Sequence, residues 1–354
     1  MLSIQEKYMH RCFQLAKLGA GAVAPNPMVG AVLVHDNKIV GEGYHKKYGE
    51  AHAEVNCIDS VTEENKNLIT KSTLYVSLEP CVHYGKTPPC ADLIIKNKIP
   101  KVVIGCRDVF EQVAGKGIAK LKTAGIEVTT GILEKEAVEL NKRFFTFHQT
   151  QRPYIILKWA QSFNDKIAAS SKSGLNERTL ISNEYTNRLV HKWRSEEAAI
   201  MVGTDTALYD DPSLATRLWK GKNPVRIVVD MNLRLPSSLK MFDKKVKTIV
   251  FNKIKQQEED DLIYYRLAAE NILEEIINAL HEMSIQSVIV EGGAKLLQSF
   301  IDAGLWDEAR IITNRQMVIG NGIDAPDLKQ SVLQKEEQFF NDTITYFQNS
   351  LNQY

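Results

Sequence analysis

Residues 73–90 read TLYVSLEPCVHYGKTPPC, and upstream of them stands His52-Ala53-Glu54. The apolar run from Thr73 to Leu78 predicts a strand, Pro80 ends it, and Cys81 falls in the turn beyond. The pattern predicts a helix over His52–Asp59 and another in PPCADLIIKNK, opened by its prolines, so Cys90 stands at a helix start. One imidazole (His52) and two thiolates (Cys81, Cys90) form a borderline-to-soft donor set that suits Zn²⁺. Three protein ligands leave the fourth tetrahedral position to water, the arrangement of a catalytic site. Zinc lowers the pKa of such a water to about 7. Glu54, two residues from His52, is placed to move protons without binding metal. A lone H-x-E says little, but HAE, EPC and PPC inside one domain-sized window are specific. Cys12, Cys57 and Cys106 lie in apolar helix or strand patterns and read as core.

Outward from this centre, strands and helices alternate, which makes the chain α/β. Residues 3–19 have helical spacing, and MVGAVLVHD and KIVGEGYH form two strands joined at Asp36-Asn37. KVVIGCRD is a strand, GIAKLKTAG a helix ended by Gly125, and IEVTTGI a strand. The pattern breaks near KRFFTFHQTQR, residues 142–152, before a new strand at YIILKWA. A domain boundary falls there, giving domains 1–146 and 147–354. In the second, AAIMVG, PVRIVVD, KTIVFN, QSVIVEGG and EARIITN read as strands. NEYTNRLVHKWRSE, EENILEEIINALHEM and AKLLQSFIDAG read as helices. The tail after about Leu328 is polar and shows no clear period.

With 354 residues, two domains are the expectation. Hydrophobic residues at 44% and charged residues at 25% are ordinary for a folded protein and exclude disorder as a description of the whole chain. Lys+Arg 44 against Asp+Glu 43 leaves a net charge of +1, which argues against a partner held by phosphate neutralisation along nucleic acid. No apolar run reaches the roughly 18 residues that a membrane helix needs. The N-terminus, MLSIQEKYMHRCFQLAKLGAG, mixes charges with apolar residues and reads as an amphipathic helix and not a signal peptide. Five cysteines with no secretion signal point to a reducing cytoplasm.

Further chemistry-bearing residues surround both halves. Eight residues separate Cys81 from Cys90, and that loop carries His83 and Lys86, both able to meet a polar edge or a phosphate. Asn26 in PNP and His45 in GEGYH stand beside sharp turns. Gly115-Lys116-Gly117, in the first half, is no dinucleotide fingerprint, because Lys120 occupies the place of the third glycine and no strand precedes it. The better anion site is SVIVEGGAKLLQSF, where a strand meets Glu291-Gly292-Gly293 and then a helix. VGTDTALYDDPSLATR adds Thr206, Asp210, Leu214 and Arg217 after a buried strand, and KWRSE puts Arg194 near a helix end.

HAE with EPC matches the H-x-E…P-C signature of zinc-dependent base deaminases, except that eight residues replace its two between the cysteines. PNPMVGAVLV, GEGYHKKYGEAHAEV and SLEPCVHYGKTPPC resemble the bifunctional pyrimidine deaminase/reductase family of riboflavin biosynthesis, and the second half resembles that family's reductase domain. The resemblance covers nearly the whole chain, to about Asp324. It implies an N-terminal cytidine-deaminase-like α/β/α domain and a C-terminal dihydrofolate-reductase-like α/β domain. It implies deamination of 2,5-diamino-6-(5-phosphoribosylamino)pyrimidin-4-one, then NADPH-dependent reduction of the ribosyl group to ribityl. By analogy, His52, Cys81 and Cys90 hold zinc and Glu54 shuttles protons. Asn26, His45, His83, Lys86 and Asp108 line the first pocket. Arg178, Leu180, Arg194, Asp210, Leu214, Arg217 and Glu291 face the reductase substrate. Ala160, Thr206, Gly293, Ala294, Lys295 and Leu296 hold NADPH. The family analogy also implies a homo-oligomer and a small-molecule substrate, with no nucleic acid or membrane partner.

Three stretches depart from the family, and its S-L-D-G after the first reductase strand is here Ser162-Phe163-Asn164-Asp165. Its D-P-N-P-like turn is here Asp108-Val109-Phe110. Its Ser-x-Trp-Ile-Ser/Thr segment is here Arg178-Thr179-Leu180-Ile181-Ser182. Either Arg178 joins Arg194 and Arg217 in a rebuilt phosphate clamp, or the reductase half is inert; the retained Arg194, Asp210, Arg217 and Glu291-Gly292-Gly293 favour the clamp. A tRNA adenosine deaminase shares HAE and PC, but the cysteine spacing, the neutral charge and the second domain argue against it. A degenerate binding protein is opposed, for the first half, by the intact HAE and cysteines.

Overall fold

The computed structural model describes residues 2–85, 88–169, 179–268 and 270–352. It divides into two compact units, Met1–Gln151 and Arg152–Tyr354.

In the first unit, α1 (Ile4–Ala16) opens on a capping box in which Ser3 and Glu6 satisfy each other's backbone N–H. Then come β1 (Gly30–His35), β2 (Lys38–Tyr44), α2 (Ala53–Asp59), β3 (Thr73–Leu78), α3 (Cys90–Lys96), β4 (Lys101–Cys106), α4 (Lys116–Thr123), β5 (Glu127–Thr130), α5 (Glu134–Leu140) and α6 (Lys142–Thr150). The sheet order is β2-β1-β3-β4-β5, with β1 antiparallel to both neighbours and β3, β4 and β5 parallel. Asp36 and Asn37, both with positive φ, make the expected tight hairpin. Successive β1 residues face opposite layers. Ala31 and Leu33 pack with Cys57, Ile94 and Leu121 under α2, α3 and α4, whereas Val32 and Val34 pack with Met9, Phe13 and Phe144 under α1, α5 and α6. The result is a helix–sheet–helix sandwich whose catalytic loops leave the strand ends.

One expectation needs correction here. The stretch read as a break is helix α6, and residue 146 lies inside it; the division falls instead after Gln151, which closes the helix at φ 55°. Aromatic and β-branched residues have only middling helix propensity, so the sequence hid a helix that forms because Phe144, Phe145 and Phe147 are buried.

The second unit contains β6 (Tyr154–Ser162), β7 (Lys166–Ala169), α7 (Glu184–Glu196), β8 (Ala199–Gly203), α8 (Thr204–Asp210), β9 (Val225–Val229), β10 (Thr248–Asn252), β11 (Gln257–Glu259), β12 (Leu262–Arg266), α9 (Ile272–Glu282), β13 (Ser287–Val290), α10 (Ala294–Asp302), β14 (Glu308–Asn314), β15 (Gly322–Asp324), β16 (Ser331–Phe339) and β17 (Asp342–Asn349). Ten of these strands form one sheet in the order β11-β12-β10-β9-β8-β13-β6-β14-β17-β16. Its middle is parallel from β12 to β14, with antiparallel β11 and β17-β16 at the margins. Alternation again splits the core: Ile155, Leu157 and Trp159 pack with α9 and α10, while Tyr154, Ile156 and Ala160 pack on the α7 face. The polar tail is the β16–β17 hairpin, and β16 is a mostly exposed edge strand. Among the described residues no helix is long and apolar enough to cross a membrane.

Candidate active sites

The first site assembles at the ends of β2 and β3 and the starts of α2 and α3. His52 is the N-cap of α2, and Cys90 is the first residue of α3. His52 Nδ1 lies 3.6 Å from Cys81 Sγ and 3.3 Å from Cys90 Sγ. Ligand atoms of the three all fall within 4.8 Å of one another. The Cys90 backbone N–H, at a helix start, donates to Cys81 Sγ over 3.4 Å. The Cys90 thiol, then His52 and that N–H, hold Cys81 down to about 4, and the same thiol–thiolate contact pushes Cys90 up. Cys81 draws the His52 imidazole upward in turn. Two sulfurs and an imidazole nitrogen at these separations fit the Cys/Cys/His donor set of a divalent zinc ion.

Glu54 stands in the first turn of α2, is 3% exposed, and has its carboxyl raised by burial and then by the Cys81 charge. A carboxyl that holds a proton more readily than usual suits proton transfer near neutrality. Beside it, the His45 and His52 rings meet edge to face at 5.2 Å. His45 Nδ1 lies 3.1 Å from the Ala51 carbonyl, and its Nε2 lies 3.2 Å from Asn26 Nδ2. This assigns Nδ1 as the proton-bearing nitrogen, with Nε2 accepting from Asn26. Asn56, not foreseen, ties the loop together by donating to the Tyr44 and Ala51 carbonyls at 2.8 and 3.2 Å. A lone Asn in a helix carries no motif that would reveal this.

Glu79 was likewise missed. Its carboxylate accepts from the backbone N–H groups of Asp108, Gly115 and Ile118 at 3.2, 2.9 and 3.0 Å. It therefore caps α4 from a distance and locks residues 108–118 beside the ligand segment. The glycines rejected as a dinucleotide fingerprint serve this junction: Gly115 has φ +80°, and a Cβ on Gly117 would sit 2.1 Å from the Pro80 carbonyl oxygen. Asp108 is buried and accepts from the Phe110 N–H at 2.8 Å; burial pushes its carboxyl up to about 6. His83 lies on the loop after Cys81, and Lys86 lies outside the described residues. Cys12, Cys57 and Cys106 are core residues.

The second site lies where β8 and β13 end side by side. The Glu291 N–H donates to the Met201 carbonyl and the Gly203 N–H to the Gly292 carbonyl, both at 2.9 Å. A Cβ on Gly292 or Gly293 would stand 3.3 or 3.1 Å from Thr206 Oγ1, so these glycines keep a narrow cradle clear between the two turns. Gly292, at φ +139°, adopts a backbone that suits glycine alone. Gly293 is the N-cap of α10 with no side-chain cap, so Ala294, Lys295 and Leu296 present first-turn N–H groups, the usual phosphate seat. The cradle and helix start fit a dinucleotide phosphate. Ala160 lies on β6, half-buried.

Arg194 Nε and Nη2 each donate to one Glu291 oxygen at 2.7 Å, and Nη1 reaches the Ala215 carbonyl at 3.3 Å. Its guanidinium is committed to the protein, so its place is behind Glu291. Lys158, absent from the expected set, puts Nζ 3.5 Å from Glu291 Oε2 with only 12% of its side chain exposed. The signal was available: a lysine inside a strand of buried apolar residues. Burial alone raises the Glu291 carboxyl, but Arg194 and Lys158 outweigh it and bring it to about 2. His191, also unforeseen, is 1% exposed, and burial followed by Arg194 and Arg217 lowers it to about 4. Asp210 ends α8, Arg217 and Leu180 are exposed, and Leu214, at φ 52°, packs its side chain into the core. Arg178 lies outside the described residues, so the three-arginine clamp is not brought together here.

Two family profiles divide the chain as its units do. That described as the cytidine and deoxycytidylate deaminase zinc-binding region matches residues 2–106, and that described as the RibD C-terminal domain matches residues 153–336. The riboflavin biosynthesis protein RibD of Aquifex aeolicus (strain VF5) is 39% identical over 331 residues, covering 92% of this chain and 90% of that protein. The chain belongs to the RibD family. The RibD of Bacillus amyloliquefaciens is 41% identical over 315 residues, covering 86% of this chain and 83% of its own. A crystal structure of a diaminohydroxyphosphoribosylaminopyrimidine deaminase/5-amino-6-(5-phosphoribosylamino)uracil reductase from Thermotoga maritima matches with TM-score 0.88 at 34% identity, covering 98% of this chain and 99% of that one. As a RibD-family member the chain is an enzyme of riboflavin biosynthesis with deaminase and reductase activities, and its cofactors are zinc and NADPH. These matches do not favour a nucleic-acid deaminase or an inert second half.

Proposed function

We propose that the first unit hydrolytically deaminates 2,5-diamino-6-(5-phosphoribosylamino)pyrimidin-4-one and that the second reduces the ribosyl group of the product to ribityl. The observation that carries the reading is the buried Glu54 carboxyl against the His52/Cys81/Cys90 donor set. Zinc, when bound by these three, supplies the Lewis acidity that activates water for attack on the amino-bearing ring carbon. Glu54 takes the proton from the attacking water and returns it to the departing amine, and its raised carboxyl suits both transfers. Asn26, His45, His83, Lys86 and Asp108 orient the pyrimidine and its substituents; the Asn26–His45 hydrogen bond holds those two side chains against each other. The substrate ring loses its amino group as ammonia and takes a carbonyl oxygen from the water.

In the second unit, Thr206 and Gly293–Leu296 hold the phosphates of NADPH, with Ala160 beside the cofactor. When bound, it supplies the hydride for C1′ of the opened ribosyl. Lys158 and Glu291 form the charged pair that faces the substrate, with Lys158 holding the proton. Arg194 holds Glu291 in register, while Asp210, Leu214, Arg217, Leu180 and Arg178 border the phosphoribosyl end. The exposed Arg217, together with Arg178, supplies the cations for its phosphate. None of the five cysteines is in a disulfide, which supports a reducing cytoplasm as the location. The test is Cys81→Ser: it loses most of the zinc and the deaminase activity but keeps NADPH-dependent reduction of the deaminated pyrimidine. Full zinc retention contradicts the ligand assignment.

A further inference from the structure

Residue 110 departs from the family turn, and the structure shows what the replacement does. The Phe110 backbone is pinned at both ends: its N–H donates to Asp108, and its carbonyl accepts from Val113 and Ala114 at 2.8 and 2.9 Å. Its ring stands edge to face with His83, centroids 5.8 Å apart, and tilts against His148 at 5.1 Å. His148 is itself packed on Phe144 at 4.4 Å and Phe147 at 5.3 Å, and both of those rings are buried. A functional imidazole is usually oriented by a hydrogen bond at its second nitrogen. His83 lacks that support: its Nδ1 is buried and has no hydrogen-bond partner among the described residues. Packing therefore sets the ring plane, and the group packed on it is Phe110.

We propose that Phe110 is a positioning residue for deamination, holding the His83 imidazole in the plane in which it meets the pyrimidine nucleotide. The aromatic column Phe144–His148–Phe110 extends from the core to that ring. It replaces the polar turn residue of the family by a fixed apolar edge. This rests on the reading of His83 as a pocket residue.

The test uses the full-length zinc-loaded chain and the diaminopyrimidine nucleotide. Phe110→Ala is expected to raise the deamination KM about tenfold, within the hundredfold loss that an ångström of misplacement can cause. Zinc content and reduction of the deaminated substrate stay unchanged. Phe110→Tyr, which keeps the ring, restores the low KM. His83→Gln also raises KM, and the double variant His83→Gln/Phe110→Ala is no worse than His83→Gln alone. In histidine-labelled protein, the ring resonances that disappear in His83→Gln move in Phe110→Ala. An unchanged KM in Phe110→Ala while His83→Gln is impaired overturns the inference and leaves the pocket reading standing; so do fully additive effects. An unimpaired His83→Gln overturns both. Should Phe110→Ala fail to fold, Phe110→Leu, which keeps the volume without the flat edge, takes its place with the same expected results.

Discussion

Two buried glutamates lie in the candidate sites, and their surroundings drive them in opposite directions. Glu54 sits with sulfur ligands and is raised; Glu291 sits between two cations and is lowered to about 2. Glu54→Gln keeps its shape and leaves the donors intact, so it retains zinc, loses deamination and still reduces the deaminated substrate. Joint loss of both activities in a folded protein contradicts two separate sites. For Glu291 the linkage has a definite sign. A carboxylate whose folded pKa lies below its ordinary 4.5 stabilises the fold fully above that value, and the contribution fades as pH falls toward about 2. It amounts to about 3 kcal/mol. All four tryptophans, Trp159, Trp193, Trp219 and Trp306, lie in the second unit, so their fluorescence follows its unfolding. Wild type loses its advantage over Glu291→Gln between pH 4.5 and 2; a pH-independent gap contradicts the pairing. Arg194→Ala leaves the carboxylate with Lys158 alone and costs about 3 kcal/mol, with loss of reduction.

Among elements, the junction of β3 with α4 decides how the deaminase pocket is held. Gly117→Ala pushes a Cβ against the Pro80 carbonyl, which is backbone and has nowhere to move. It should destabilise the first unit by about 1–3 kcal/mol and lower deamination, while tryptophan-monitored unfolding of the second unit stays as in wild type. Normal deamination and stability in this variant contradict the close approach. The His/Cys/Cys donor set was legible because four residues, His52, Glu54, Cys81 and Cys90, fall in HAE, EPC and PPC within one window and need one another to make sense. The strands around them were legible because each is a short apolar run bounded by turn residues. Helix α6 was not, because its aromatics owe their helical state to burial. The β16–β17 hairpin was not, because an edge strand with Gln334, Lys335 and Glu336 exposed has no apolar face to show. Asn56 and Glu79 act through backbone partners that no motif marks, whereas Lys158 carried a readable signal as a lysine inside an apolar strand. Arg194 was foreseen as a site residue, yet only geometry shows its guanidinium bound to Glu291.

Across the whole molecule, each unit has its own sheet and its own pair of cores. A fragment ending at Gln151 therefore folds alone, binds zinc and deaminates; an insoluble fragment means the units share stability. The central claim is that one chain carries two successive reactions on a phosphoribosyl pyrimidine. The direct measurement is to incubate the purified, zinc-loaded full-length chain with the diaminopyrimidine nucleotide, with and without NADPH, and to identify products by mass. Without NADPH, ammonia is released and a single product appears in which one amino group has become a carbonyl oxygen. With NADPH, that product gains two hydrogens as its ribosyl opens to ribityl, and NADPH is consumed in equal amount. Unchanged nucleotide in both arms, or an NADPH arm that stops at the deaminated product, contradicts the account.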